Sequence, residues 1–586
     1  MIRKLSLFLL LTLYLVAPAF SAKDAPTITV SPASIVLCNN GTIELYYTVC
    51  PSTWSSGALP APAAEGWLSV TTAVDATGTG TRYDIGGGNN YGTDLADVPW
   101  GSLQAGDAVN IYYRATPYRE KLPISERGTA ANPIIINGVT DGAGNRPEIN
   151  GENAVNVLHA NWTGGLESAV ILMHRKPLAQ GGVNGTTAEY IKFQNIKVVN
   201  SRDTMSYTHN GVTSNYPSGG RLFWLRDAKH ITIENCIIHD GGEGIFAQSP
   251  DGGEGYARDI TIRGNWFKGN GQEDPPSNAH QIYLLAASEG TEKNIIEGNF
   301  FDTAGDPAIA QAKLRTTDTI FRYNTLVGNA RTLDLVEAQN GVQEAVWGDY
   351  TAQEIIDRYR TSYIYGNLFI NDYTTGDPLA KFPIHVGWDS AEIIPSGVGV
   401  GEEYNRGIDG GHTYFFNNTL HYNSVYASGG MWRGGIFELG FQSASASQGS
   451  LIAANNIIEF GGDVRGAHLN ADGSVTYEST NLIYSATLPI LAESDAYANA
   501  GNTGDDPATL ITNNDTRVTT SANFVGSTNA DPTLRDYSLD TGSPALNAAT
   551  SLPAALSAYP VEYNPVNPAT GVMAARSTTN HLGAFE

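Results

Sequence analysis

The sequence predicts an all-β fold, a single-stranded right-handed parallel β-helix preceded by a small β-rich segment. Two observations predict it. A short apolar strand closed by asparagine recurs along the chain, as in "ITIENCIIHD", "NIIEGNFFDT" and "TIFRYNTLVGN". Helix-period apolar runs are scarce, whereas alternating Ile/Val/Phe strands broken by Gly, Asn and Asp turns are frequent.

The recurring asparagines are Asn195, Asn235, Asn265, Asn299, Asn324, Asn367, Asn418, Asn456 and Asn481. The intervals 299–324 and 456–481 are each 25 residues, and others are longer through insertions. A repeat of this length made of strands and turns stacks coil upon coil, about 4.8 Å apart. Asparagine suits a fixed turn position because it tolerates left-handed backbone and its amide can bond the coils above and below. A ladder of such amides satisfies polar groups that the solenoid would otherwise orphan.

The elements follow in order. Residues 1–22 read as a secretory signal peptide: Arg3 and Lys4, an apolar stretch from Leu5 to Val16, then Ala19 and Ser21 in peptidase spacing. No later run is long and apolar enough to suggest a membrane helix, so the expectation is an exported chain without membrane insertion. Residues 23–81 form the small β-rich segment. Within it Cys38 and Cys50 bracket "CNNGTIELYYTVC", a hairpin-like stretch that a disulfide would close in an oxidising compartment. Cys236 has no evident partner and is expected to be a buried thiol. The β-helix occupies 82–586, with a closing segment from about 521. Residues 341–361 carry Ile355, Ile356 and Tyr359 at helical spacing and read as a short inserted helix.

Composition narrows function. The net charge of −25, from 34 Lys and Arg against 59 Asp and Glu, argues against nucleic acid and anionic membrane as partners. The same acidity repels a polyanionic substrate, so such a substrate requires local positive charge or a metal ion. Against this background Lys313 and Arg315 stand two apart in the strand-like run "AIAQAKLR", on one face. Strands of one sheet, read as "GEGIFAQ", "AHQIYLLAAS", "AIAQAKLR", "RTLDLVEAQNG", "FPIHVGWD" and "GGIFELGF", offer a groove suited to an extended polymer. The candidates for chemistry are Lys313, Arg315, His280 and Tyr283. Those for substrate binding are Glu243, Glu337, Asn340, His385 and Glu438.

The asparagine repeat resembles that of the pectate-lyase-like superfamily of β-helices. The opening "VPWGSLQAGDAVNIYYRATPYREKLPISERGTAANPIIINGV" and the closing "DPTLRDYSLDTGSPALNAATSLP" and "NHLGAFE" are similar to the first and last coils of secreted bacterial members. More distantly, "AHQIYLL", "AKLR" and "DLVEAQNG" resemble a three-coil arrangement of the chondroitinase B and alginate lyase families. There a lysine on one coil is the base and an arginine on the next the acid, which implies Lys313 as base. The arginine does not carry over, because "TLDLVEAQNG" holds no cation in its strand; Arg315 or Tyr283 would replace it. The calcium-holding carboxylates of those families are not recognisable either. Asp306 alone stands nearby, so calcium is left open and no other cofactor is implied.

The reaction so implied is β-elimination on a uronate polysaccharide. It needs a neutralised carboxylate, a base at C5 and an acid at the leaving oxygen. A lysine beside another cation gives up its proton more readily. A non-catalytic glycan-binding or cell-surface adhesin β-helix is the second reading, and under either the expectation is a monomer with a polysaccharide partner. A glycoside hydrolase is the third; it needs two carboxylates about 5–9 Å apart, and Asp505-Asp506 lies in a late loop.

Overall fold

The computed structural model describes residues 35–37, 43–45, 75–159 except 89, 166–174 except 167, 187–248, and stretches within 257–585 that carry the strands and the C-terminal segment. The chain divides into two compact units, Met1–Gly57 and Ala58–Glu586. In the first, Ile35–Leu37 and Ile43–Leu45 pair antiparallel, with Leu37 opposite Ile43. Cys38 and Cys50, the signal segment and the helix expected at 341–361 lie outside the described residues.

The second unit is the expected parallel β-helix. Each coil contributes to three stacked parallel sheets, wound with the right-handed sense that parallel crossovers take. One coil illustrates the path. Thr319–Arg322 lies in the first sheet, Thr325–Val327 in the second and Leu333–Val336 in the third. The coil before it runs Asn294–Glu297, Phe300–Asp302 and Ala312–Thr316. The pairing is residue for residue: Ile296 with Phe321, Phe301 with Leu326, and Leu314 with Leu335. The first sheet begins at Arg82–Ile85, paired with Ala108–Tyr112.

Alternation along each strand sends one set of side chains into the bore. Phe193, Ile233, Ile262, Ile296, Phe321, Ile364 and Phe415 stack inward from the first sheet and belong to one continuous core. Phe267 and Phe301 stack face to face at 4.9 Å within it. Because inward side chains meet like neighbours on adjacent coils, this core extends with each coil rather than thickening.

Between the first and second sheets the chain turns through two adjacent columns. The first holds left-handed backbone: Asn195, Asn235, Gly264, Gly298, Tyr323, Gly366, Asn417 and Asn455 all have φ between 51° and 64°. The second is the asparagine ladder, fully buried at Asn265, Asn299, Asn324, Asn367, Asn418, Asn456 and Asn481. An amide inside the ladder is used completely. Asn324 Nδ2 donates to Ile296 O (2.9 Å) and Asn367 Oδ1 (3.0 Å), while its Oδ1 accepts Asn299 N and Nδ2 (both 3.0 Å).

The repeat therefore has a correction. Asn195 and Asn235 occupy the left-handed column, and the ladder position beside them is taken by Ile196 and Cys236. The ladder starts where Cys236 N donates to Asn265 Oδ1 (2.9 Å). Cys236 is a fully buried free thiol whose pKa burial pushes up to about 12.

Two polar stacks also run along the first sheet. At its start Asn110 Nδ2 donates to Asp84 Oδ1 (3.1 Å), Asn137 Nδ2 to Asn110 Oδ1 (3.0 Å) and Asn195 Nδ2 to Asn137 Oδ1 (2.9 Å). Further on, charge alternates from coil to coil: Lys192 to Glu234 (2.5 Å), Glu234 to Arg263 (3.3 Å), Arg263 to Glu297 (3.8 Å) and Glu297 to Arg322 (2.7 Å).

The C-terminal segment returns along the left-handed corner. Tyr559 stacks on Tyr363 at 3.7 Å, and Tyr323 Oη donates to Pro560 O (3.2 Å) and accepts Glu562 N (3.0 Å). Further along, Gly583 N donates to Asn455 O (2.8 Å) and Ala584 N to Thr419 Oγ1 (3.0 Å).

Candidate functional site

The third sheet contains every strand in which the sequence places candidate chemistry. Its strands are Glu120–Ile124, Ala169–His174, Arg221–Arg226, Glu243–Gln248, Ile282–Ala287, Ala312–Thr316, Leu333–Val336, Ile384–Gly387 and Phe437–Gly440. Inward residues such as Ile282, Leu284, Ala312, Leu314, Leu333 and Leu335 belong to the core. The alternate residues face outward.

One outward column crosses all nine strands in strict register, with Pro123 opposite Leu172 at its N-terminal end. From there it reads Leu172, Trp224, Phe246, Tyr283, Lys313, Asp334, and then the positions of His385 and Glu438. Arg315 lies one outward step along from Lys313, in register with Leu285. Both cations thus stand on the outward side of one strand, as their spacing predicts.

Local contacts order this cluster. Lys313 Nζ stands 5.3 Å from the centroid of the Tyr283 ring, near enough for cation–π attraction. Tyr283 meets His280 edge to face at 5.2 Å and Phe246 at 5.3 Å. Glu243 is held by Arg221, Nε to Oε2 at 2.9 Å, and the Arg221 guanidinium lies 4.0 Å from the centroid of Phe246. Glu243 is therefore an ion-pair partner on the column's flank.

Burial is the unexpected feature. Tyr283 is 8% exposed, Lys313 5%, Arg315 4% and Asp334 3%. The sequence predicts an open, shallow groove here, and in the structure these outward side chains are covered. His280 and Glu243 are buried as well, at 4% each.

Of the sequence candidates, the structure brings together Lys313, Arg315, Tyr283, His280 and Glu243. His385 and Glu438 share the column by register, their side chains lying outside the described residues, as do Glu337, Asn340 and Asp306 entirely. Asp318, close in sequence to the two cations, is engaged elsewhere, by Ser288 Oγ at 2.7 Å and Lys293 Nζ at 3.7 Å. Sequence reading passed over Asp334, Trp224 and Phe246. The signal was present: in "TLDLVE" the aspartate alternates with two core leucines, and in "RLFWLR" and "EGIFAQ" an aromatic residue stands between apolar neighbours.

Among the described residues no group of three or more His, Cys, Asp or Glu could hold a metal ion. The described residues do not fit a calcium site. No described helix is long and apolar enough to cross a membrane.

No protein-family model matches the chain, and no curated protein matches it. Three solved structures with slight likeness illustrate the comparison. The alginate lyase from Paenibacillus sp. str. FPU-7 has 13% identity and a TM-score of 0.34, covering 64% of this chain and 92% of its own. The GH136 lacto-N-biosidase from Eubacterium ramulus has 12% identity and a TM-score of 0.39, with 70% and 65% covered. For the pectate lyase Pel9A the values are 13%, 0.34, 87% and 98%. The fold itself rests on the strand register described above.

Proposed function

We propose that the chain is an exported, carbohydrate-active β-helix protein that cleaves a uronate-containing polysaccharide by β-elimination. The observation that supports this most is the column itself. Lys313 and Arg315 share the outward side of one strand, with Tyr283 on the coil before and Asp334 on the coil after.

The reaction assigns each group a task. Arg315 pairs the uronate carboxylate, so that charge developing on it as the C5 proton leaves is offset. Lys313 Nζ takes that proton. The electron pair of the C5–H bond forms the C4–C5 double bond, and the C4–O bond breaks. The departing oxygen takes a proton from the Tyr283 hydroxyl, with His280 packed against the ring. The products are a new chain end and an unsaturated uronate that absorbs in the near ultraviolet.

The test is that absorbance during incubation with alginate, pectate and chondroitin sulfate. The expected result is a rise on one polymer that falls by about 10²–10⁴-fold in Lys313→Ala, the range for loss of general acid–base catalysis. Folded protein that raises no absorbance on any of them would overturn the reading.

A second reading, a non-catalytic glycan-binding protein, is favoured by the aromatic part of the column and by the burial of Lys313 and Arg315. It predicts retention of one of these polymers on an affinity gel without cleavage.

A further inference from the structure

Ser206–His209 and Val212–Asn215 form an antiparallel hairpin in which His209 stands opposite Val212. The turn between them is Asn210–Gly211, with φ of 50° and 78°, the paired left-handed backbone of a type I′ turn. The base of the hairpin is anchored to the solenoid. Tyr207 and Tyr216 hold Lys121 Nζ at 3.4 and 4.4 Å from their ring centroids, and Ser206 Oγ donates to Asn153 Oδ1 (3.0 Å). The tip is not anchored. Asn210 and Gly211 are exposed, as is the whole strand that follows them. Asn210 Nδ2 contacts the ring of its own neighbour, His209 Nε2, at 3.1 Å. Gly211 N bonds to no described residue, and a side chain placed on Gly211 would meet no atom within 4 Å.

We propose that Asn210–Gly211 is a site of spontaneous covalent modification, at which the Asn210 amide is lost through a cyclic imide and replaced by aspartyl and isoaspartyl linkages, with water as the co-reactant.

The steps balance without an oxidant or reductant. Gly211 N gives up its proton and attacks Asn210 Cγ, forming a C–N bond. The Cγ–Nδ2 bond breaks and the nitrogen leaves as ammonia. Water then adds to either carbonyl of the five-membered imide, and one of its two C–N bonds opens. Opening on one side leaves an ordinary aspartyl residue; opening on the other routes the main chain through the former side chain.

Three observations place the reaction here. The attacking nitrogen belongs to glycine, which puts no side chain in the path of ring closure and rotates freely. It is exposed and unbonded, so only the two-residue tip has to open for closure, a local event of low cost. The other Asn–Gly pairs among the described residues are locked into coils. Asn137 and Asn270 are fully buried and Asn150 is 6% exposed. Asn270 Nδ2 donates to Ile238 O (2.9 Å), and its Oδ1 accepts Gly241 N (2.9 Å). The attacking nitrogens there are engaged too: Gly271 N donates to Gly241 O (3.1 Å) and Gly151 N to Val199 O (2.8 Å). Residues 204–220 contain no Asp, Glu, Lys or Arg, so the carboxylate formed is the first formal charge of the hairpin.

The experiment incubates the folded full chain in mildly alkaline buffer and follows it by peptide mapping with mass spectrometry. Isoaspartate is detected by methyl transfer from labelled S-adenosylmethionine with an isoaspartyl methyltransferase. The expected result is progressive loss of the amide at 210 to both products, while Asn137, Asn150 and Asn270 keep theirs. An acidic satellite should grow on isoelectric focusing and be absent from Asn210→Gln, whose imide would need a six-membered ring. In denaturant all four pairs should react alike, which shows that the fold makes the selection. Retention of the amide at 210 for as long as at Asn137, or equal loss at all four in the folded protein, would overturn the site. Aspartate at 210 without isoaspartate would overturn the imide route.

Discussion

Glu120 heads the strand Glu120–Ile124 beside Asp94 and Arg114, themselves an ion pair at 3.0 Å. Burial, and after it the Asp94 carboxylate, pushes its pKa up from 4.5 to about 7. The folded protein therefore holds this proton over a range where the unfolded chain has lost it. The stabilisation this gives is complete below about pH 4.5 and fades as pH rises to about 7. Glu120→Gln, which cannot ionise, should make the protein more stable than wild type above neutrality by about 1–3 kcal/mol, with the difference vanishing at low pH. Denaturant unfolding of both proteins at acid and alkaline pH measures it, and a difference that does not change with pH would contradict the assignment. The site was legible at this scale only in part. Lys313 and Arg315 stand out in the sequence because cations are rare in it and the i, i+2 spacing puts them on one side. Asp334, one coil away in space but 21 positions on in the chain, does not, since a loop of arbitrary length separates it from Lys313.

At the scale of the element, the asparagine ladder couples neighbouring coils through the amide and through the backbone at once. Replacing Asn324 by alanine would leave Asn299 N and Nδ2, Ile296 O and Asn367 Oδ1 each short of a buried partner. Since each orphaned buried group costs about 1–3 kcal/mol, Asn324→Ala should lose at least about 3 kcal/mol. Asn210→Ala, at an exposed hairpin tip, should lose far less. Comparing the two midpoints of thermal unfolding tests this, and equal losses would contradict the ladder's role. The ladder was legible because the apolar frame around each asparagine repeats. Its first two members were misplaced for a physical reason. Left-handed geometry and coil-to-coil bonding are tasks of two adjacent residues, and asparagine can do either. The dipeptides distinguish them: "GN" at 298–299 and "NN" at 417–418 put the ladder asparagine second, while Asn195 and Asn235 are followed by Ile196 and Cys236.

For the second unit as a whole, the returning C-terminal segment ties together coils that otherwise touch only their neighbours. Tyr323 shows the dependence. It is a bulky residue in left-handed backbone, φ 58°, a conformation that costs about 1–3 kcal/mol and persists only where surroundings enforce it. Its hydroxyl is held by Pro560 O and Glu562 N, and its ring meets Tyr365 and Tyr563 edge to face at 5.6 and 5.7 Å. Truncation after residue 558 should lower the unfolding temperature and open amides of the corner to hydrogen exchange near Tyr323 and Asn455, while the coils around Ile134–Val139 keep their protection. Uniform loss of protection along the chain would show instead that the solenoid unfolds as one block.

Successive ladder asparagines are separated by 34, 25, 43, 51, 38 and 25 residues, yet each contacts the next through the same pair of bonds. Sequence distance and axial distance are thus independent coordinates in this protein. A loop can lengthen sideways without displacing any coil above or below it. Segments between coils can therefore diverge in length and sequence while the row of outward side chains stays in step.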